Sequence, residues 1–275
     1  MTRSARRIRI RRSLPVTGAG LAALLVLSAC SSSSDPDSGS AAAGSSSSAE
    51  ISGPVTVFAA ASLKESFTAL GEMFEKEHPG SEVTFNFGGS DTLAASITSG
   101  APADVFASAS PRTMATVTDA GDAAGAPTTF VRNQLEIATL PGNPDRISSL
   151  ADLTRPGLKV VLCDRTVPCG AAAQKALAAS GLKLTPASYE QDVKSALTKV
   201  ELKEADAAVV YRTDVRAAGD KVEGVDFPES AEAVNDYPIA LLDQARNAEA
   251  GKAFIELVKS AEGRKVLTET GFRTP

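Results

Sequence analysis

Val55-Thr56-Val57-Phe58-Ala59-Ala60-Ala61-Ser62-Leu63-Lys64-Glu65 joins a β-branched run to a helix start through small residues. Leu63, Phe67, Leu70 and Phe74 then recur at helical spacing, which predicts a helix over 62–77 with one buried face. Ser62 thus stands where a strand over 55–58 ends and a helix begins. Backbone N–H groups without intrahelical acceptors converge at such a junction, and the helix dipole favours negative charge there. Ala59, Ala60 and Ala61 leave room for a ligand to approach the backbone. Two readings are open at this point. Ser62-x-x-Glu65 fits a capping box that only starts the helix, and it also fits half of an anion site.

Beyond this stretch, short β-type runs alternate with amphipathic helices. A turn at His78-Pro79-Gly80 leads to an alternating strand over 82–87. Gly88-Gly89-Ser90-Asp91-Thr92 reads as a loop before a helix over 93–98. Further strands are expected over 103–108, within 130–139, and over 157–162, 207–211, 222–227 and 237–242. Helices are expected after Cys169-Gly170 as far as Gly181, over 192–199, and in two C-terminal segments, 248–259 and 261–270. Such alternation predicts an α/β fold with mainly parallel sheets. About 220 residues are enough for one large core or for two lobes.

The N-terminus is of another kind. Arg3, Arg6, Arg7, Arg9, Arg11 and Arg12 precede the apolar run Leu21-Ala22-Ala23-Leu24-Leu25-Val26-Leu27. A basic segment followed by a short apolar one describes a secretory signal, and the apolar run falls short of the roughly 20 residues that span a bilayer. Leu27-Ser28-Ala29-Cys30 resembles a bacterial lipobox, which implies a signal peptide over 1–29 and lipidation of Cys30. The Ser/Ala/Gly-rich segment that follows predicts a disordered tether over 30–53. The expected location is therefore the extracytoplasmic face of the cell membrane, held by a lipid anchor. A chain of net charge −5 whose arginines are concentrated in its leader lacks the basic face that nucleic acid needs.

Little in the sequence supports catalysis. His78, the one histidine, sits before Pro79 in a turn and is expected to face solvent. There is no Gly-x-Ser-x-Gly elbow, His-Glu-x-x-His, phosphate-binding Gly-x-x-x-x-Gly-Lys or dinucleotide fingerprint. What recurs is Ser or Gly just before a helix, at Ser62, at Ser90 and at Cys169-Gly170. Several helix N-termini aimed at one cleft would hold a small anion without lysine or arginine.

Taken in order, six segments resemble the molybdate-binding proteins of ABC transporters. They are Val57-Phe58-Ala59-Ala60-Ala61-Ser62-Leu63, Gly100-Ala101-Pro102-Ala103-Asp104-Val105-Phe106, Val167-Pro168-Cys169-Gly170, Asp192-Val193, Val209-Val210-Tyr211 and Thr270-Gly271-Phe272. The resemblance implies a two-lobed periplasmic-binding-protein fold of type II, each lobe a mainly parallel sheet flanked by helices. It places the first lobe over 54–130 and 232–275 and the second over 131–231, with chain crossings near 130–134 and 229–236. It implies an unprotonated tetrahedral oxyanion, molybdate or tungstate, held by hydrogen bonds from Ser62, Ser90, Tyr211 and the backbone N–H groups of Cys169 and Val193. No cofactor, no free metal cation and no catalysis are implied. The partners implied are the oxyanion and a membrane permease, with the protein a monomer.

Two positions depart from the family. A carboxylate at Asp91 must turn away from an anion held by Ser90, and Cys169 replaces a small residue. With Cys30 committed to lipid, two cysteines remain in an exported protein, so Cys163 and Cys169 are expected to form a disulfide; two reduced, packed thiols are the alternative. Other readings are the same architecture binding sulfate or phosphate, a secreted ester hydrolase, and a structural adhesion lipoprotein.

Overall fold

The computed structural model describes residues 50–275. The expected signal peptide, Cys30 and most of the expected tether lie outside these residues. Among the described residues no helix is long and apolar enough to cross a membrane.

Two five-stranded sheets organise the chain. The first has the order β2-β1-β3-β10-β4, built from β1 (Ser52–Ala60), β2 (Gly80–Gly88), β3 (Val105–Ala107), β4 (Thr128–Asn133) and β10 (Asn235–Leu241). The second has the order β7-β6-β8-β5-β9, from β5 (Leu135–Thr139), β6 (Val160–Cys163), β7 (Ser188–Glu190), β8 (Ala207–Tyr211) and β9 (Glu223–Val225). β1 begins at Ser52, inside the stretch expected as tether. The expectation of mainly parallel sheets holds for direction, with one reversed strand in each. β10 runs against β3 and β4, and β5 runs against β8 and β9. Both lie beside a chain crossing. The chain leaves the first sheet after Asn133 and enters the second at Leu135, and it returns between Ala233 and Asn235.

Side-chain alternation lets the first sheet bury both faces. Val55, Val57, Ala59, Val105 and Ala107 face one core, with Phe67 and Phe74 of α1 (Lys64–Glu77), Phe254 of α7 (Ala248–Lys259) and Leu267 of α8 (Ala261–Glu269). Phe58 and Phe106 face another, with Leu93 and Ile97 of α2 (Ser90–Thr98) and Met114 and Val117 of α3 (Pro111–Asp119). Phe254 meets Phe67 and Phe74 edge-on, with ring centroids 5.8 and 5.7 Å apart. Asp104 ties the layers: its carboxylate accepts the Thr56 N–H at 2.7 Å and the Asn247 N–H at 2.9 Å. In the second lobe, Ala172, Ala176 and Leu177 of α4 (Pro168–Ala179) pack with Leu197 and Val200 of α5 (Val193–Glu201) on β5, β6 and β8. A short α6 (Arg212–Ala218) follows β8 directly.

Several local expectations are corrected. The 88–92 loop is shorter than expected, because α2 starts at Ser90. The 62–77 helix opens as a 3-10 turn over Ala61–Leu63 before α1. His78 is half-buried, with its ring 4.6 Å from that of Phe74. α3, α6 and β7 were not expected. α6 follows a strand without a turn signal, and β7 has only three residues.

Cys163 and Cys169 are bonded, with their Cα atoms 5.8 Å apart. The bridge closes the loop from the end of β6 to the first turn of α4. Gly170 is required beside it, since a Cβ there would lie 1.9 Å from the Asp164 carbonyl oxygen. Replacing both cysteines with serine is expected to cost about 2 kcal/mol, the chain-entropy value for so short a loop. Denaturant unfolding of the double variant checks this, and an unchanged midpoint contradicts it.

Candidate oxyanion site between the lobes

The carboxyl ends of β1, β2, β6 and β8 all stop at one crevice, the usual ligand position in open α/β sheets. A small cavity of about 10 Å³ lies there, lined by both lobes. Ala60, Ala61, Ser62, Gly88, Gly89, Ser90 and Ala109 come from the first, and Val167, Pro168, Cys169, Asp192, Val193 and Tyr211 from the second. Ser62, Ser90, Cys169, Val193 and Tyr211, singled out from sequence, all line it. Its size is far below the roughly 300 Å³ at which pockets for organic ligands begin. No lysine, arginine or histidine lines it.

Each group is held by what surrounds it. Ser62 does not cap α1; its Oγ lies 2.8 Å from the Tyr237 hydroxyl. Ser90 Oγ accepts the Ala109 N–H at 3.0 Å. Tyr211 is the last residue of β8; its buried hydroxyl lies beside the Tyr237 and Asn235 side chains but makes no hydrogen bond of good geometry. Burial, with the nearby Tyr237 and Asp214, pushes that phenol well above its ordinary range, so it keeps its proton. Cys169 follows Pro168 in the first turn of α4, and Val193 is the first residue of α5, so neither N–H has an intrahelical acceptor.

Of the two carboxylates beside the cavity, Asp192 is engaged as a helix cap, while Asp91 keeps a buried oxygen, Oδ1, without a partner. Asp192 caps α5, where Oδ1 accepts the N–H groups of Lys194 and Ser195 at 2.8 and 2.9 Å. That leaves the Val193 N–H for the cavity. Asp91 is absent from the lining, and its Oδ2 faces Thr166 Oγ1 of the other lobe at 3.4 Å.

The lobes are in contact around this crevice. On one side Lys194 Nζ meets Glu65 Oε1 at 2.8 Å and Asp214 Oδ1 at 3.2 Å, joining α1 to α5 and α6. On the other, Arg112 donates to the Thr166 carbonyl. A Cβ on Gly89 would lie 2.6 Å from the Gln191 carbonyl oxygen of the opposite lobe, so only glycine allows this approach. Sequence reading missed Lys194, Gly89 and Tyr237. The Gly88-Gly89 pair carried a signal for Gly89, but a lysine beside a helix cap and a tyrosine in a strand carry none.

Asp214 lies beneath Tyr211, fully buried, with Oδ2 accepting the Tyr211 N–H at 3.1 Å. Burial raises its carboxyl to about 6, against the pull of Lys194. Burial alone would lower the Lys194 ammonium, yet Asp214 and Glu65 outweigh it and raise it. A raised folded-state carboxyl favours the folded protein most below its unfolded value of 3.8, and that contribution fades as pH rises to about 6. The stability difference between the unaltered protein and Asp214→Asn is therefore expected to shift against the unaltered protein between these values. Paired denaturant titrations across pH 3.5–7 check this, and a flat difference contradicts it.

Comparison with known proteins bears on the identity of the site. The pattern of the bacterial extracellular solute-binding proteins matches residues 55–273. The molybdate-binding protein ModA of Mycobacterium tuberculosis H37Rv is 46% identical over 221 residues, 80% of this chain and 85% of that protein. ModA of Escherichia coli K12 is 34% identical over 234 residues, 80% of this chain and 89% of that protein. The Azotobacter vinelandii periplasmic molybdate-binding protein superposes with a TM-score of 0.71 at 19% identity, covering 80% of this chain and 99% of that one.

Proposed function

This chain belongs to the bacterial extracellular solute-binding proteins, and from that footing we propose that it captures molybdate, and tungstate with it, for import by an ABC transporter. The observation that carries the reading is the convergence of Ser62, Ser90, Tyr211, Cys169 and Val193 on one small cavity, where the buried Tyr211 hydroxyl makes no hydrogen bond of good geometry. Three hydroxyls and two free N–H groups suit a compact oxyanion with acceptors on every side. The anion's own charge strengthens each bond. Four helices, α1 through its opening 3-10 turn, α2, α4 and α5, point their N-termini at the same space and supply the balancing field. The relatives named for molybdate support the choice among oxyanions.

Selection against sulfate would come from size. Donors set for the longer metal–oxygen bonds leave a smaller anion with stretched hydrogen bonds, and unsatisfied buried donors are costly. Closure of the two lobes would present the loaded form to a permease, while the lipid on Cys30 and the serine-rich tether would keep the monomer at the membrane. A Cys30→Ser variant is expected to leave the membrane fraction.

Calorimetric titration with molybdate, tungstate, sulfate and phosphate tests the reading. Molybdate and tungstate are expected to bind at least a hundredfold more tightly than the other two. Preference for sulfate or phosphate would move the site to another oxyanion, and no binding at all would overturn the reading. Ser62→Ala and Tyr211→Phe each remove a hydrogen bond to a charged group, about 1.5–3 kcal/mol, and are expected to weaken binding roughly tenfold or more. Gly89→Ala is expected to weaken binding, because its Cβ would meet the Gln191 carbonyl oxygen of the opposite lobe, and it also presses on Asp91 Oδ1 of its own lobe. Wild-type affinity in that variant contradicts the closed geometry.

A further inference from the structure

A hydroxyl can donate or accept, so a serine beside an anion is useful only if its proton points at the anion. The hydrogen-bond network behind the cavity settles this direction for both serines. Asn133 is 1% exposed and sits where the chain first crosses between lobes. Its Oδ1 accepts the Gln134 N–H at 3.0 Å, which makes the other amide atom the nitrogen. That Nδ2 donates to Thr213 Oγ1 at 2.9 Å and to the Tyr237 hydroxyl oxygen at 3.4 Å. Tyr237 is fully buried; the Tyr211 hydroxyl lies nearby, but the acceptor in good bonding geometry for the Tyr237 proton is Ser62 Oγ at 2.8 Å. Were Ser62 the donor instead, the buried phenol proton would be left with only the poorly placed Tyr211 oxygen. Tyr237 therefore donates to Ser62, and the Ser62 proton is left for the cavity.

Asn235 lies two residues earlier on β10, on the same face of the strand as Tyr237. Its Nδ2 donates to the Ala109 carbonyl at 2.8 Å, and the Ala109 N–H donates to Ser90 Oγ at 3.0 Å. Ser90 thus receives a protein hydrogen bond just as Ser62 does, and its proton too is left for the cavity. Neither Tyr237 nor Asn235 lines the cavity.

We propose that Tyr237 and Asn235, from one face of the strand that brings the chain back to the first lobe, are positioning residues that fix Ser62 and Ser90 as donors and thereby set the preference for fully ionised oxyanions. The proposal rests on the oxyanion reading of the site. It adds which residues make the cavity a set of donors only. An anion that keeps a proton, such as hydrogen phosphate, then has no hydroxyl oxygen free to accept it.

A double-mutant cycle tests this on the mature protein, with molybdate and inorganic phosphate as probes. Tyr237→Phe keeps the ring, and Asn133 retains Thr213 as a partner. It is expected to raise the molybdate Kd roughly three- to tenfold, the range for one neutral hydrogen bond. In the Ser62→Ala background the same change is expected to alter Kd less than twofold, because the serine it orients is gone. The ratio of phosphate to molybdate affinity is expected to rise in Tyr237→Phe, since a freed Ser62 can accept a proton, whereas a general structural loss would weaken both anions alike. Asn235→Ala with Ser90→Ala forms a parallel cycle that decides the matter if Tyr237→Phe does not fold. Additive effects in the cycle with an unchanged anion ratio overturn the inference alone. Failure of the unaltered protein to bind any of the oxyanions overturns the reading beneath it as well.

Discussion

An anion taken out of water must be given back every hydrogen bond it loses, or its desolvation prevents binding. Here that constraint falls on a crevice with no cationic side chain in its lining. The protein answers with neutral donors, and neutral donors must be numerous, close and correctly turned. Strands end together at the crevice so that helix N-termini open there. Pro168 and the Asp192 cap leave chosen N–H groups uncommitted. The bridge from Cys163 to Cys169 secures the turn that carries one of them. Preorganised donors of this kind do not have to be reoriented when the ligand arrives.

Donors from two lobes reach one anion only if the lobes meet. Contact is made at Gly89, where no Cβ intervenes, and by Lys194, whose ammonium joins Glu65 of one lobe to Asp214 of the other. Lys194 stands next to Val193, Glu65 lies one helical turn beyond Ser62, and Asp214 holds the Tyr211 backbone. The ion-pair cluster outside the cavity therefore ties together three of the five donor positions inside it. None of these three charged groups lines the cavity.

Much of this was legible in the sequence where local chemistry and position coincide. β8 over Ala207–Tyr211 and α7 over Ala248–Lys259 have the expected bounds, since an apolar β-branched run and a capped amphipathic repeat are strong local signals. The five positions that line the cavity were named from strand-to-helix junctions at Ser62, Ser90 and Cys169 and, for Val193 and Tyr211, from the family resemblance. The reversed strands β5 and β10 were not legible, because strand direction is fixed by the path between lobes and not by residue pattern. Ser62 fits a capping box by spacing, yet its hydroxyl is taken by Tyr237, 175 residues away. Long-range partners of this sort, and the roles of Asn133, Asn235 and Lys194 with them, appear only once the two crossings bring distant strands together.

If the proposed function holds, one tetrahedral oxyanion fills the crevice and is bound by these donors. Diffraction from crystals grown with molybdate, collected at the molybdenum absorption edge, tests it most directly. The account predicts one anomalous peak between the lobes, with its oxygens about 2.7–3.2 Å from Ser62 Oγ, Ser90 Oγ, Tyr211 Oη and the nitrogens of Cys169 and Val193. A peak at another place, or an anion in the crevice that bonds to a different set of atoms, would contradict it.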